Sequence, residues 1–132
     1  MGESKGRFIE MFRSEFKEFI ERFSREESGS AWGSCKIMDE APVNIIVWNA
    51  GENDWTTEEH SVAAAIQNML IRAHDLGLGS LWIGDVYYAY EGIREYFGKR
   101  WKLSGAVALG YPAMEGRNPP KMPVDQVAEF LT

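Results

Sequence analysis

The chain has 132 residues, 45% of them apolar and 26% charged, with a formal net charge of −6. That suits one globular domain, residues 1–132, and the acidic balance argues against a nucleic-acid partner. The single Cys35 excludes an internal disulfide framework, one Cys and two His give no zinc-ligand spacing, and no apolar run is long enough to span a membrane.

The N-terminal "MGESKGRF" has no apolar stretch of the kind a secretory signal needs, so a reducing, cytoplasmic setting is expected. Residues 7–25 read as an amphipathic helix: Phe8, Ile9, Phe12, Phe16, Phe19, Ile20 and Phe23 recur at helical spacing. Glu18 with Arg22, and Glu21 with Arg25, form i,i+4 pairs on its wet face. "EESGSAWGS", 26–34, reads as a breaker stretch, and "CKIMDEAP" as one helical turn ended before Pro42. "VNIIVWNAG", 43–51, has the short β-branched character of a buried strand followed by a turn. Thr56 with Glu59 fits a capping box, so a helix is expected from about 57 to 76, with Gly77 beyond its end. "SLWIG" reads as a strand, 90–98 as a short helix closed by Gly98, and 101–112 as a second buried strand with Gly105 inside it. The end, "VDQVAEFL", reads as a short helix or a terminal arm.

The helix from 57 to 76 poses a covering problem. Val62, Ile66, Met69, Leu70 and Ala73 make one apolar stripe, but Ala64, Ala65 and Ile71 extend it around much of the remaining surface. A helix apolar nearly all round must be buried nearly all round, and a small chain has few elements to do it. A second copy packed two-fold on the smooth Ala63–Ala65 run answers this, so a homodimer is expected. The alternative is a central helix wrapped within a monomer. Gln67 and Asn68 interrupt the apolar surface, and they either tie the helix to a neighbouring backbone or face a polar ligand.

Other chemistry-bearing residues point to less. His60 and His74 titrate near neutrality, but a dipole-favoured place in the last turn accounts for His74. No His neighbours Cys35 in sequence to activate it. Glu58-Glu59 suits the start of a helix. Gly77-Leu78-Gly79 is neither a P-loop nor part of a G-x-G-x-x-G fingerprint. Trp32, Trp48 and Trp55 suit burial or stacking on a flat ligand.

Four pieces in order carry a family resemblance: "EAPVNIIVWNAG", "AAAIQNML" running into "AHDLGLGSLWIGD", "SGAVALGYP" and "PPKMPVDQV". Over residues 37–130 the chain resembles the C-terminal part of the nitroreductase family. The resemblance implies an α+β fold, with a central apolar helix packed on a small β-sheet, and an obligate dimer with FMN at the subunit interface. It also implies hydride transfer from NADH or NADPH to the flavin and on to a flat acceptor such as a nitroaromatic or quinone. "LWIGD" corresponds to the family segment along the flavin edge, which places Trp82, Ile83, Gly84 and Asp85 there, mainly through their backbone. A basic residue before "P-V-x-x-V" implies Lys121, with Arg117 as its neighbour, for the FMN phosphate.

The chain departs from the family pattern at its start. The basic N-terminal segment and the Ser/Asn-Gln-Pro-Trp-like turn, which in relatives contact FMN, have no counterpart here; Arg7 and Arg13 lie on the first helix instead. That implies a truncated family domain, and a second expectation beside the enzyme: a dimeric, non-catalytic module that no longer holds FMN. A third is an interface site for another flat aromatic ligand.

Overall fold

A computed structural model describes residues 2–22, 30–53, 55–116 and 118–130. In chain order the elements are α1 (Gly2–Arg22), α2 (Ala31–Glu40), β1 (Val43–Asn49), α3 (Thr56–Asp75) and β2 (Gly79–Ile83). A 3-10 turn (Asp85–Ala89) then leads into α4 (Tyr90–Phe97), followed by β3 (Lys102–Gly110). The three strands form an antiparallel sheet in the order β1-β3-β2, which makes β3 central. Its near-continuous burial follows from being paired on both edges and covered on both faces.

One face of the sheet carries the main core. Phe8, Ile9, Phe12 and Phe16 descend from α1 at i, i+1, i+4 and i+8 and meet Cys35 and Met38 of α2, Ile83, Val86, Ile93, and Leu103, Ala106 and Ala108 of β3. Leu103 and Ala106 are three residues apart, so a regular strand would turn them to opposite faces. The register supplies the missing residue: Val47 pairs with Gly105, but Trp48 pairs with Leu103. That bulge sits at Gly105, whose φ of 144° disfavours any side chain.

α3 covers the other face, where Ile66 is fully buried and Ala73 nearly so. The helix closes as its sequence requires. Gly77 takes φ 72°, its N–H reaches the His74 carbonyl, and the Leu78 N–H reaches that of Ala73. Gly98 ends α4 in the same way, with Lys99 N–H on the Arg94 carbonyl.

Two local expectations change. α2 is a ten-residue helix rather than one turn, and it takes in Ala31–Ser34 from the expected breaker stretch. Ala31, Ser34, Cys35 and Met38 form its buried i, i+3, i+4, i+7 stripe, which outweighs the cost of Gly33. No capping box forms at the start of α3: Thr56 is already helical, Trp55 precedes it without a side-chain cap bond, and Glu59 accepts instead from Asn49 Nδ2 at 2.9 Å. At the end of the described residues, Val124–Gln126 form a 3-10 turn within an exposed stretch, the terminal arm of the two expected alternatives. Residues 23–25 of the expected first helix, including Phe23 and Arg25, lie outside the described residues, as do the side chains of Ile20 and Arg22.

Candidate functional site

The corner after β2 is held from below and left bare above. Ile83 and Val86 on either side are anchored in the core. Between them Gly84 is exposed, with φ −85° and ψ −23°, values any residue adopts. A Cβ placed on Gly84 would meet nothing within 4 Å. Neither backbone strain nor packing inside the chain therefore calls for glycine here. Glycine at such a place suits the close approach of something from outside. The Gly84 carbonyl accepts from Tyr87 N–H at 3.0 Å, which starts the 3-10 turn.

Trp82 stands on the α3 side of the sheet, opposite Val107 of β3. Its indole lies across Gly105: a Cβ there would fall 2.7 Å from Nε1. Trp82 as a whole remains 38% exposed beside the corner. Tyr87 is half-exposed, and burial, then the negative charges of Glu59 and Tyr90, push its phenol above the ordinary range. The hydroxyl thus stays protonated well into the alkaline range.

Asp85 is partly buried and reaches toward α2. Its Oδ1 accepts from Ser30 Oγ at 3.2 Å, and its Oδ2 accepts from Ser34 Oγ. Sequence reading grouped Asp85 with the corner but gave no sign of these serines, which stand 55 and 51 positions away.

The structure brings Trp82, Ile83, Gly84 and Asp85 together, with Ile83 buried and the others reaching the surface to different degrees. Lys121 is exposed in the stretch after β3, and Arg117 lies outside the described residues. Gln67 and Asn68, weighed above as buried amides, are exposed in the single chain, together with Ala64, Ala65 and Ile71 on the outward side of α3. His60 and His74 are also exposed. Cys35 is buried, and burial raises its thiol against the opposing pull of Arg13, the reverse of what a nucleophile needs. Trp48 packs against the core, while Trp55 is 69% exposed just ahead of α3.

Two grooves lie elsewhere. One, about 400 Å³, opens among Phe8, Val43, Ile46, Tyr96 and Phe97, at the end of the sheet away from Gly84. The other, about 310 Å³, is lined by charged residues around Arg94 and Lys99. Among the described residues, no helix is long and apolar enough to cross a membrane.

Comparison with known proteins gives this arrangement its family. A model of the nitroreductase family matches residues 2–111, reaching back through α1, beyond the motifs from residue 37 onward. A nitroreductase-like protein from Bacillus cereus is similar over 99% of this chain and 70% of its own, with 19% identity and a TM-score of 0.70. A BluB-like flavoprotein from Clostridium difficile 630 is similar over 98% of this chain and 75% of its own, with 21% identity and a TM-score of 0.72. A Desulfovibrio desulfuricans protein assigned as a nitroreductase, and solved in complex with FMN, shares 29% identity over 71% of this chain and 57% of its own, with a TM-score of 0.63. The chain belongs to the nitroreductase family.

Proposed function

We propose that the chain is an FMN-dependent oxidoreductase that works as a homodimer, with the Gly84 corner at the flavin edge and NAD(P)H as electron donor. The observation that carries this reading is the corner: an exposed glycine in ordinary backbone geometry, with open space where a side chain would stand. Family membership and the FMN complex of the Desulfovibrio desulfuricans protein support flavin as the occupant.

When bound, FMN supplies hydride acceptance and delivery, chemistry that no side chain of this chain offers. The chain's own part is to bind and orient. Backbone at Trp82–Asp85 lines the ring edge, where a donated N–H favours the reduced form. The Trp82 indole, braced over Gly105, forms an apolar wall beside it. Lys121, with Arg117 beside it in sequence, is the cation proposed for the phosphate. A second copy is proposed to cover the outward side of α3, where the Gln67 and Asn68 amides find partners across the interface. The acceptors that suit an open, flat site are nitroaromatics and quinones.

The test is an absorption spectrum of the purified protein after FMN addition and desalting. A retained band near roughly 450 nm that bleaches with NADH or NADPH is the expected result. A folded dimer that keeps no flavin would reject the reading and leave a dimeric module without the chemistry. Competition between FMN and other flat aromatics would show whether the site prefers one of those.

A further inference from the structure

Asp85 is the acidic residue of the Trp82–Asp85 stretch, and each of its carboxylate oxygens is engaged within the chain. Oδ1 takes the Ser30 hydroxyl at 3.2 Å and Oδ2 takes that of Ser34, which is itself buried on α2. Two hydroxyls donate, one to each oxygen, and each oxygen keeps a second lone pair. The anion also sits against the first turn of a ten-residue helix, where the dipole favours it.

The consequence falls on the backbone between β2 and the 3-10 turn. Ile83 anchors one side of Gly84 in the core, and Val86 anchors the other. Gly84 itself carries no side chain to pack, and glycine has the widest backbone freedom of any residue. Between these anchors the Gly84–Asp85 peptide is held on its carbonyl side, which accepts from Tyr87 N–H at 3.0 Å. The carboxylate tie to α2 adds a second hold at Asp85, one that joins this backbone to another element, next to the exposed glycine.

We propose that Asp85 is a positioning residue: clamped by Ser30 and Ser34, it fixes the Gly84–Asp85 backbone in the orientation that meets a flavin edge. The proposal rests on the flavin reading above. It gives Asp85 a role through the backbone and none in proton transfer. A site held by a rigid element and a second layer of hydrogen bonds binds with less ordering cost than one on a loose turn.

The experiment pairs two readouts on the 132-residue chain. Amide hydrogen exchange without FMN, over residues 84–87, reads the clamp directly. FMN titration followed by flavin fluorescence reads its effect on binding. Variants are Asp85→Ala, Ser34→Ala and the conservative Asp85→Asn, whose amide oxygen still accepts one hydroxyl. Asp39→Asn serves as control: it weakens the Arg13–Asp39 pair, which joins α1 to α2 at 2.6 Å away from the corner.

The expected result is faster exchange at 84–87 and about tenfold weaker FMN binding in Asp85→Ala and Ser34→Ala, the scale of one charge-assisted hydrogen bond. Asp85→Asn is expected to fall between these and the wild type, and Asp39→Asn to match the wild type in both readouts. The inference is overturned if Asp85→Ala binds FMN as tightly as the wild type. It is equally overturned if affinity falls only in step with thermal stability in every variant, the control included. Should the wild type bind no FMN, the flavin reading fails and the role toward flavin falls with it; exchange at 84–87 then reports separately whether the clamp exists.

Discussion

α1 and α3 are nearly equal in length and both rich in apolar residues, yet they end up in opposite situations. Phe8, Ile9, Phe12 and Phe16 of α1 are all buried within the chain; Phe8 stacks on Phe12, Phe12 packs tilted against Phe16, and Phe16 meets Tyr88 edge-on. α3 buries only Ile66 and Ala73 and leaves Ala64, Ala65 and Ile71 outward. α1 has a conventional polar back, so one face suffices. α3 has apolar residues on two sides and only one sheet to press them against. The first helix therefore builds the domain, and the second leaves a surface whose proposed cover is another copy. On the reading proposed above, the difference separates residues that keep the chain folded from residues that serve its function.

Several substitutions would break or sharpen that contrast. The largest stability loss is expected on the α1 side: Phe12→Ala should cost about 3–5 kcal/mol in urea unfolding, because it empties the centre of the aromatic stack. Next comes Gly105→Ala, expected to cost about 1–3 kcal/mol. It forces a side chain onto φ 144° and pushes against the Trp82 indole, so the intrinsic fluorescence of the folded protein should change as well. On the outward side of α3, Ile71→Glu should alter chain stability by no more than about 0.5 kcal/mol. It should instead raise the dimer dissociation constant at least tenfold, as read by sedimentation. Equal losses of stability for Phe12→Ala and Ile71→Glu would erase the proposed division.

Two smaller effects refine it. Gly84→Ala should leave the melting temperature nearly unchanged, since its Cβ meets nothing within 4 Å, yet weaken FMN retention. Cys35 supplies a pH effect. Burial raises its folded thiol above the ordinary value, so the unfolded chain releases its proton first as pH rises. The contribution is complete below the ordinary thiol range and is lost as pH climbs through the folded value. Urea unfolding between about pH 7 and 10 should show a flatter alkaline decline for Cys35→Ala than for the wild type.

What the sequence made legible was mostly local. The ends of α3 and α4 follow from Gly77 and Gly98, because a left-handed cap depends on one residue and its near neighbours. β1 and β3 follow from short apolar runs. The expectation for α2 went astray because Ser and Gly were weighed as breakers, although Ala31, Ser34, Cys35 and Met38 already carried a helical stripe. Thr56 and Glu59 had capping-box spacing, but Asn49 from the preceding strand claims Glu59, and a tertiary partner of that kind leaves no mark on local spacing. The same holds at the site. The "WIGD" stretch marked the corner, while the serines that hold Asp85 lie more than fifty residues away and are joined to it only by the fold. Gly105 was legible as a glycine inside a strand, but neither the bulge there nor the β2 tryptophan lying over it was.

The central claim is that a flavin sits on the Gly84 corner in a site made by two copies. Sedimentation of the FMN-loaded protein, followed at 280 nm for protein and roughly 450 nm for flavin, tests it most directly. The account expects both signals to travel together at the mass of a dimer, with flavin and dimer lost together in Ile71→Glu. Flavin travelling with a monomer, or a folded dimer travelling without flavin, would contradict it.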